Sequence, residues 1–506
     1  MNLLPVSILS CMALLGLAPG TSAQCAPQWL GNAGLGTAVS TDVVNTLTVW
    51  DADGAGPQAP LLVVGGNFVT IGGITVNRIA TFNVQTGVWA GLSGGVQAAS
   101  GPFGSTGDVR AAVVGANNQV YIAGNFTSVG GFLLPGIARW NGSVWSNVGF
   151  PIFTSSWPNQ LLKLPNGDIL ALGSALGPML WDGVSWNPGT APLGGGQFRT
   201  AALDAAGNLL MGTSNGVYRQ SGTSWTQLGG GADVWAIAVH DGQIIAAGTF
   251  TSIAGVAANS IARFDGSTWS PLGSGVSGGI SSLGEVTSLA VLPNGDLVAG
   301  GTFTQAGGAA ANRLARWDGT SWSALGSGVD NRVRALVTVP GGQLAVGGEF
   351  NNAGGSTIRR FALYTSTCVA TTAVGGAGCA GSGGANVLTA MSDAWIGGNF
   401  TARATGLPSS GNVLAIGVYG FSAAAQPLAA ILPQGLPGCV LHSTDDILFG
   451  YVAAAGTVDT SVAIPDSVLL AGQFFHHQVL PIELDANQVI TAVSATNSLV
   501  VTVGAL

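Results

Sequence analysis

The chain has 506 residues, of which 14 are Lys or Arg and 22 are Asp or Glu, for a net charge of −8 at pH 7. Lys163 is the one lysine, so no basic patch exists to neutralise a run of phosphates, which argues against nucleic acid as a partner. High glycine with low charge borders on disorder, but 14 tryptophans and recurring β-branched runs point to short strands joined by tight turns.

In chain order, Leu3–Ala18 is an apolar run followed by Pro19-Gly20-Thr21-Ser22-Ala23. Residues 1–23 read as a secretory signal peptide cleaved after Ala23, although its start holds no Lys or Arg. Gln24 before Cys25 does not fit a lipoprotein box. No later run reaches the ~18 apolar residues of a spanning helix. The expectation is a soluble exported protein, secreted or on the surface of a bacterium.

Residues 24–368 are built from one repeat, seen most fully at Gly300–Gly326 and again at Gly65–Leu92, Ala123–Gly149 and Ala247–Gly273. In the copy at Glu285–Gly326, Val286–Leu292 reads as the first strand and Pro293-Asn294-Gly295-Asp296 as a hairpin turn. Leu297–Gly301, Leu314–Trp317 and Trp322–Leu325 follow as three more strands. Four short antiparallel strands per ~40–50 residues predict a propeller blade. The fourth-strand tryptophans Trp89, Trp145, Trp186, Trp225, Trp269 and Trp322 count six blades.

A seventh repeat runs from Arg332 to Arg360-Phe361-Ala362 and stops at Cys368 without that tryptophan. Gln28-Trp29-Leu30-Gly31 at the mature N-terminus reads like the missing strand. The expectation is a seven-bladed β-propeller closed by the N-terminal strand, which removes the free sheet edge. That register places Cys25 beside Cys368 and leaves Cys379 to pair with Cys439, in an oxidising compartment. Residues 369–384 read as a Gly-rich link and residues 385–506, with breakers at Pro408, Pro433 and Pro465, as a smaller antiparallel β-sandwich. The class is all-β.

The repeat resembles a secreted bacterial propeller family of the form GGxFxxxGG…NxIARWDGxxWxxLGxGV, similar in look to kelch-like repeats and to propeller repeats of some fungal cell-surface proteins. The stretches Gly378-Cys379-Ala380-Gly381-Ser382 and Leu436-Pro437-Gly438-Cys439 resemble a C-terminal β-domain found after such propellers. Neither resemblance implies a catalytic residue.

The recurring Phe68, Phe126, Phe250, Phe303 and Phe350 and the fourth-strand tryptophans read as packing residues, and Asp182, Asp265 and Asp318 as turn residues. No cofactor or metal is expected. His240 is the propeller's one histidine, and Asp51-Ala52-Asp53-Gly54 begins like a calcium loop but has Leu62 at position twelve. His476 and His477, adjacent on a strand, point to opposite faces. Asp108, Asp233 and Glu285 stand at equivalent strand starts, where a glycosidase pair is conceivable.

Blades 3 and 4 lack the long connection between second and third strands, so the rim there is expected to be low. The loops it exposes hold Trp157, Asn159, Gln197, Arg199, Asp233 and Trp235, which vary from blade to blade. Aromatics with an Arg and amides suit a sugar or peptide ligand; the competing reading is degeneration of two repeats, with these tryptophans packed between blades. The leading expectation is a non-catalytic binding or scaffold propeller for a glycan or protein, with the C-terminal domain serving attachment or export. The alternative is an extracellular hydrolase or lyase acting on polysaccharide through carboxylates at the mouth.

Overall fold

The computed structural model describes residues 27–30, 42–54, 58–97, 107–149, 157–173, 177–194, 196–279, 284–366, 370–396, 398–409, 413–465, 470 and 472–504. The leader, Cys25 and Cys368 lie outside them. The fold is all-β, and Gln28–Tyr364 and Thr365–Leu506 separate into two compact units.

The first unit contains seven four-stranded antiparallel sheets among the described residues. Their innermost strands are Val43–Trp50, Asp108–Val114, Gln160–Lys163, Phe198–Leu203, Asp233–His240, Val286–Val291 and Val333–Thr338. In the sixth sheet the remaining strands are Leu297–Gly301, Leu314–Trp317 and Trp322–Ala324, within a residue of the expected limits. In the seventh, Pro27–Leu30 is the outer strand beside Phe361–Ser366, and Trp29 packs edge-on against Tyr364 at 5.0 Å.

The glycines at the start of the repeats, paired at Gly65-Gly66, Gly300-Gly301 and Gly347-Gly348, meet two steric demands. A Cβ on the first glycine would collide with a valine of the next sheet: Gly65 with Val109, Gly300 with Val333, and Gly347 with Val44 of the first sheet. These valines are fully buried, so at these three contacts the missing side chain lets neighbouring sheets close on each other, whereas the fifth sheet has Ala247 there, packed in one core with Val286. A Cβ on the second glycine would lie about 2 Å from a carbonyl of its own first strand, as at Gly248 (2.0 Å from Asp233 O) and Gly301 (1.8 Å from Glu285 O).

The recurring phenylalanines are buried, Phe126, Phe303 and Phe350 completely. The fourth-strand tryptophans also link sheets. Trp145 Nε1 donates to Leu92 O (3.0 Å), Trp186 to Val148 O (3.0 Å), Trp269 to Leu228 O (2.7 Å) and Trp322 to Leu272 O (2.9 Å), each in the preceding repeat. Backbone N–H donors of the D-G turns hold Asp182, Asp265 and Asp318 below the usual carboxylate range. His240 Nε2 meets Gly295 O at 2.7 Å, tying the fifth sheet to the sixth.

The long connections are two-stranded ribbons, such as Thr70–Ile71 with Ile74–Thr75 and Gln305–Ala306 with Ala309–Ala310. They occur in the first, second, fifth, sixth and seventh sheets. The fourth sheet has only Ser214–Asn215 at this place, and the connection in the third lies partly outside the described residues.

The second unit has a six-stranded sheet centred on Phe474–Leu484 and Val413–Gly420, and a three-stranded sheet of Val387–Ala390, Asn399–Thr405 and Val458–Ala463. Phe400, Val458 and Val462 from the smaller sheet share one core with Tyr419, Phe475 and Val479 from the larger. Residues 369–384 correct one expectation: Thr371–Gly376 is not a link but an edge strand paired with Ser498–Thr502. Backbone pairing there holds a Gly-rich segment in a sheet where its side chains contribute little. Cys379 and Cys439 are disulfide-bonded, 60 residues apart.

Candidate functional site

Six of the seven innermost strands carry a β-bulge at the same place. Pairing skips Asn45, Arg110, Arg199, Trp235, Thr287 and Arg334, each between partners that are otherwise in register. A bulge leaves its residue unpaired and re-aims its side chain. In five of the six sheets a glycine (Gly66, Gly124, Gly248, Gly301 or Gly348) makes room for the carbonyl that the bulge pushes across the ladder, and in the fourth Thr213 stands at that position. In the third sheet Gln160 pairs directly with Leu172.

The innermost strands surround a cavity of about 280 Å³, to which every sheet contributes a polar side chain or indole: Asn45, Arg110, Gln160, Thr200, Trp235, Thr287 and Arg334. Some of these also tie sheets together. Asn45 Nδ2 donates to Val109 O at 3.1 Å, and Thr287 Oγ1 donates to Val333 O.

Charge around the bulges is paired. Arg110 Nε meets Asp108 at 3.0 Å, Arg199 holds Asp233 through Nε (3.0 Å) and a terminal nitrogen (3.3 Å), and Arg334 meets Glu349 at 2.6 Å. Arg332 pairs with Glu285. Thus Asp108, Asp233 and Glu285, the equivalent carboxylates, are each engaged by a guanidinium.

Of the sequence-predicted site residues, the structure brings together Arg199, Asp233 and Trp235. The Arg199 guanidinium lies 4.2 Å over the Trp235 ring, covering one indole face. Trp235 is half-buried and its Nε1 has no hydrogen-bond partner among the described residues. Gln197 is exposed, its N–H donating to Ser214 Oγ at 2.9 Å. Trp157 and Asn159 are half-buried on the segment entering the third sheet, with Asn159 N–H donating to Leu172 O at 2.8 Å. Gln160 is that segment's contribution to the cavity.

Sequence reading missed Asn45, Arg110, Gln160, Thr287 and Arg334. A signal for four of them was present: each follows the buried valine that recurs at Val44, Val109, Val286 and Val333, as Trp235 follows Val234. Chemically the site offers guanidinium, amide, hydroxyl and indole donors. Its unit contains the single histidine His240, at the far end of the strand that begins with Asp233.

A family model described as a domain of unknown function (DUF5122) beta-propeller matches residues 240–267 and 292–317. No curated protein matches the chain. Among solved structures, the chain is similar to an extracellular domain ascribed to the one component system BT4673 of B. thetaiotaomicron, with 9% identity over 95% of this chain and 59% of that one, at a TM-score of 0.44. The chain thus spans about three-fifths of that domain's length. It is also similar to virginiamycin B lyase from Staphylococcus aureus, with 13% identity over 67% of this chain and 99% of that one, at a TM-score of 0.43. A third is YCF48 bound to D1 peptide, with 14% identity over 66% and 94%, at a TM-score of 0.42.

Proposed function

We propose that the seven sheets are the blades of one β-propeller, closed by the N-terminal strand and followed by a β-sandwich, and that it is a non-catalytic extracellular binding module for a glycan or protein. The observation that carries this reading is the bulge series: one backbone device recurs in six sheets, and five of its residues, Asn45, Arg110, Trp235, Thr287 and Arg334, line one cavity. A device kept while its side chain varies from sheet to sheet is what a recognition surface needs, since loops and bulges on a rigid scaffold carry specificity. The apolar leader and the Cys379–Cys439 bond support an oxidising destination outside the cytoplasm. In the same reading Cys25 and Cys368 close the ring, and the C-terminal domain serves attachment or export.

The hydrolase or lyase alternative is weaker on chemistry. A glycosidase needs one carboxyl group as proton donor and a second as base or nucleophile, whereas Asp108, Asp233 and Glu285 each sit in an ion pair. A glycan array and a polysaccharide turnover screen on the same purified sample test the two readings. Array binding without turnover is expected. Turnover abolished by Asp233→Ala in a folded variant would establish the enzyme instead.

A further inference from the structure

The binding reading, on which this inference rests, leaves the ligand's chemistry open, and the cavity wall narrows it. The charged side chains lining the cavity are Arg110 and Arg334, and no carboxylate lines it. Their partners Asp108 and Glu349 stand outside that lining, bound to Arg110 through Nε and to Arg334 through Nε (2.7 Å) and a terminal nitrogen (2.6 Å). A guanidinium has five N–H donors, so these contacts leave donors on both arginines. More than a third of each side chain is exposed, 36% for Arg110 and 38% for Arg334.

The rest of the exposed wall is predominantly polar, with the amides of Asn45 and Gln160. The two guanidinium groups meet no carboxylate on the wall itself, so the complementary ligand offers oxygen acceptors and carries negative charge. The volume, about 280 Å³, lies at the lower edge of the ~300–1,000 Å³ usual for small-molecule sites. It has room for one six-membered ring. A peptide terminus also offers a carboxylate, but this wall has little apolar surface to receive its side chains.

We infer that the cavity binds a hexuronate-type sugar as the terminal residue of an acidic polysaccharide. The carboxylate engages Arg334, for which planar guanidinium is well matched, and the ring hydroxyls meet Arg110, Asn45 and Gln160.

The test is isothermal titration of the purified full chain with a galacturonate trisaccharide, its methyl ester, and triglycine as a peptide carboxylate. The acid is expected to bind, and the ester at least tenfold more weakly. Arg334→Gln should weaken the acid at least tenfold. Glu349→Gln, which frees the Arg334 guanidinium, should bind it as tightly as the wild type or more so. An ion pair with only a structural role would weaken both variants alike, which separates the two accounts. Equal affinity for acid and ester, or binding of triglycine alone, would overturn the acidic-sugar inference while leaving a binding propeller in place. No binding of any of the three probes would overturn the inference too, and the glycan array then judges the binding reading independently.

Discussion

Gly248 shows how much of this architecture rests on single missing side chains. Its Cβ position is 2.0 Å from Asp233 O, so an alanine at 248 would force the backbone beside the bulge at Trp235 to move. Gly248→Ala is expected to destabilise the fold by about 1–3 kcal/mol, as overpacking does, measured by urea unfolding. Trp235 itself behaves differently. It is half-buried at the cavity, and one face carries Arg199 of the fourth sheet. Trp235→Ala should lower stability by only about 1 kcal/mol, the size of a partly exposed cation–π contact, well short of the ~3–5 kcal/mol of a core tryptophan. Thermal unfolding of the variant decides this, and a core-sized loss would show that the indole is a packing residue. The glycine pairs, buried phenylalanines and turn aspartates were legible in the sequence because each answers to a local rule. Four of the bulge residues, Asn45, Arg110, Thr287 and Arg334, were passed over although a recurring valine precedes each, because a bulge is a property of two paired strands. Arg199, Asp233 and Trp235 were found through their variability, which is also why Trp157 and Gln197 were grouped with them.

Strands and hairpins repeat the lesson at larger size. The second and third strands of the sixth sheet fall where Gly300-Gly301 and the Ala315-Arg316-Trp317-Asp318-Gly319 run place them. Thr371–Gly376 escaped notice because its glycines mimic a link, and only its pairing with Ser498–Thr502 makes it a strand. Within that same sheet, the strand Phe474–Leu484 buries His477 completely, stacked on Tyr419 at 4.1 Å. Its Nδ1 faces Val418 O at 3.1 Å, and Thr460 Oγ1 lies 2.8 Å from Nε2. A carbonyl can only accept, so Nδ1 carries the proton and Nε2 accepts from Thr460. Burial pushes the His477 pKa down from 6.5 to about 4. A histidine lowered on folding leaves the unfolded state holding more protons between those values, so stability is full above pH about 6.5 and falls as pH drops toward 4. The loss should reach roughly 3 kcal/mol. Urea unfolding of wild type and His477→Gln at pH 7 and 4.5 isolates this contribution, and an equal acid loss in both proteins would refute it. The Cys379–Cys439 bond closes a 60-residue loop in this unit, worth around 4 kcal/mol in the chain-entropy model. Reductant should therefore lower the melting midpoint of this unit, read by calorimetry with and without dithiothreitol.

At the scale of the whole molecule, Gly347 receives Val44 as Gly65 receives Val109, so the seventh sheet meets the first through the same contact that joins first to second. With Pro27–Leu30 as the seventh sheet's outer strand, non-reducing peptide mapping should find Cys25 joined to Cys368. Pairing of Cys25 with any other cysteine would undo the proposed clasp.

The claim on which the functional reading depends is that the bulge residues form one recognition site. Its most direct test is a single comparative titration on a glycan array, reading wild type beside Asn45→Ala, Arg110→Ala, Arg199→Ala, Trp235→Ala, Thr287→Ala and Arg334→Ala. Each protein's melting midpoint is measured on the same sample. The expected result is that variants from several sheets lose at least tenfold in apparent affinity for the same glycans while their midpoints stay within a few degrees of wild type. Undiminished binding by all six folded variants would place recognition elsewhere on the molecule and contradict the assignment.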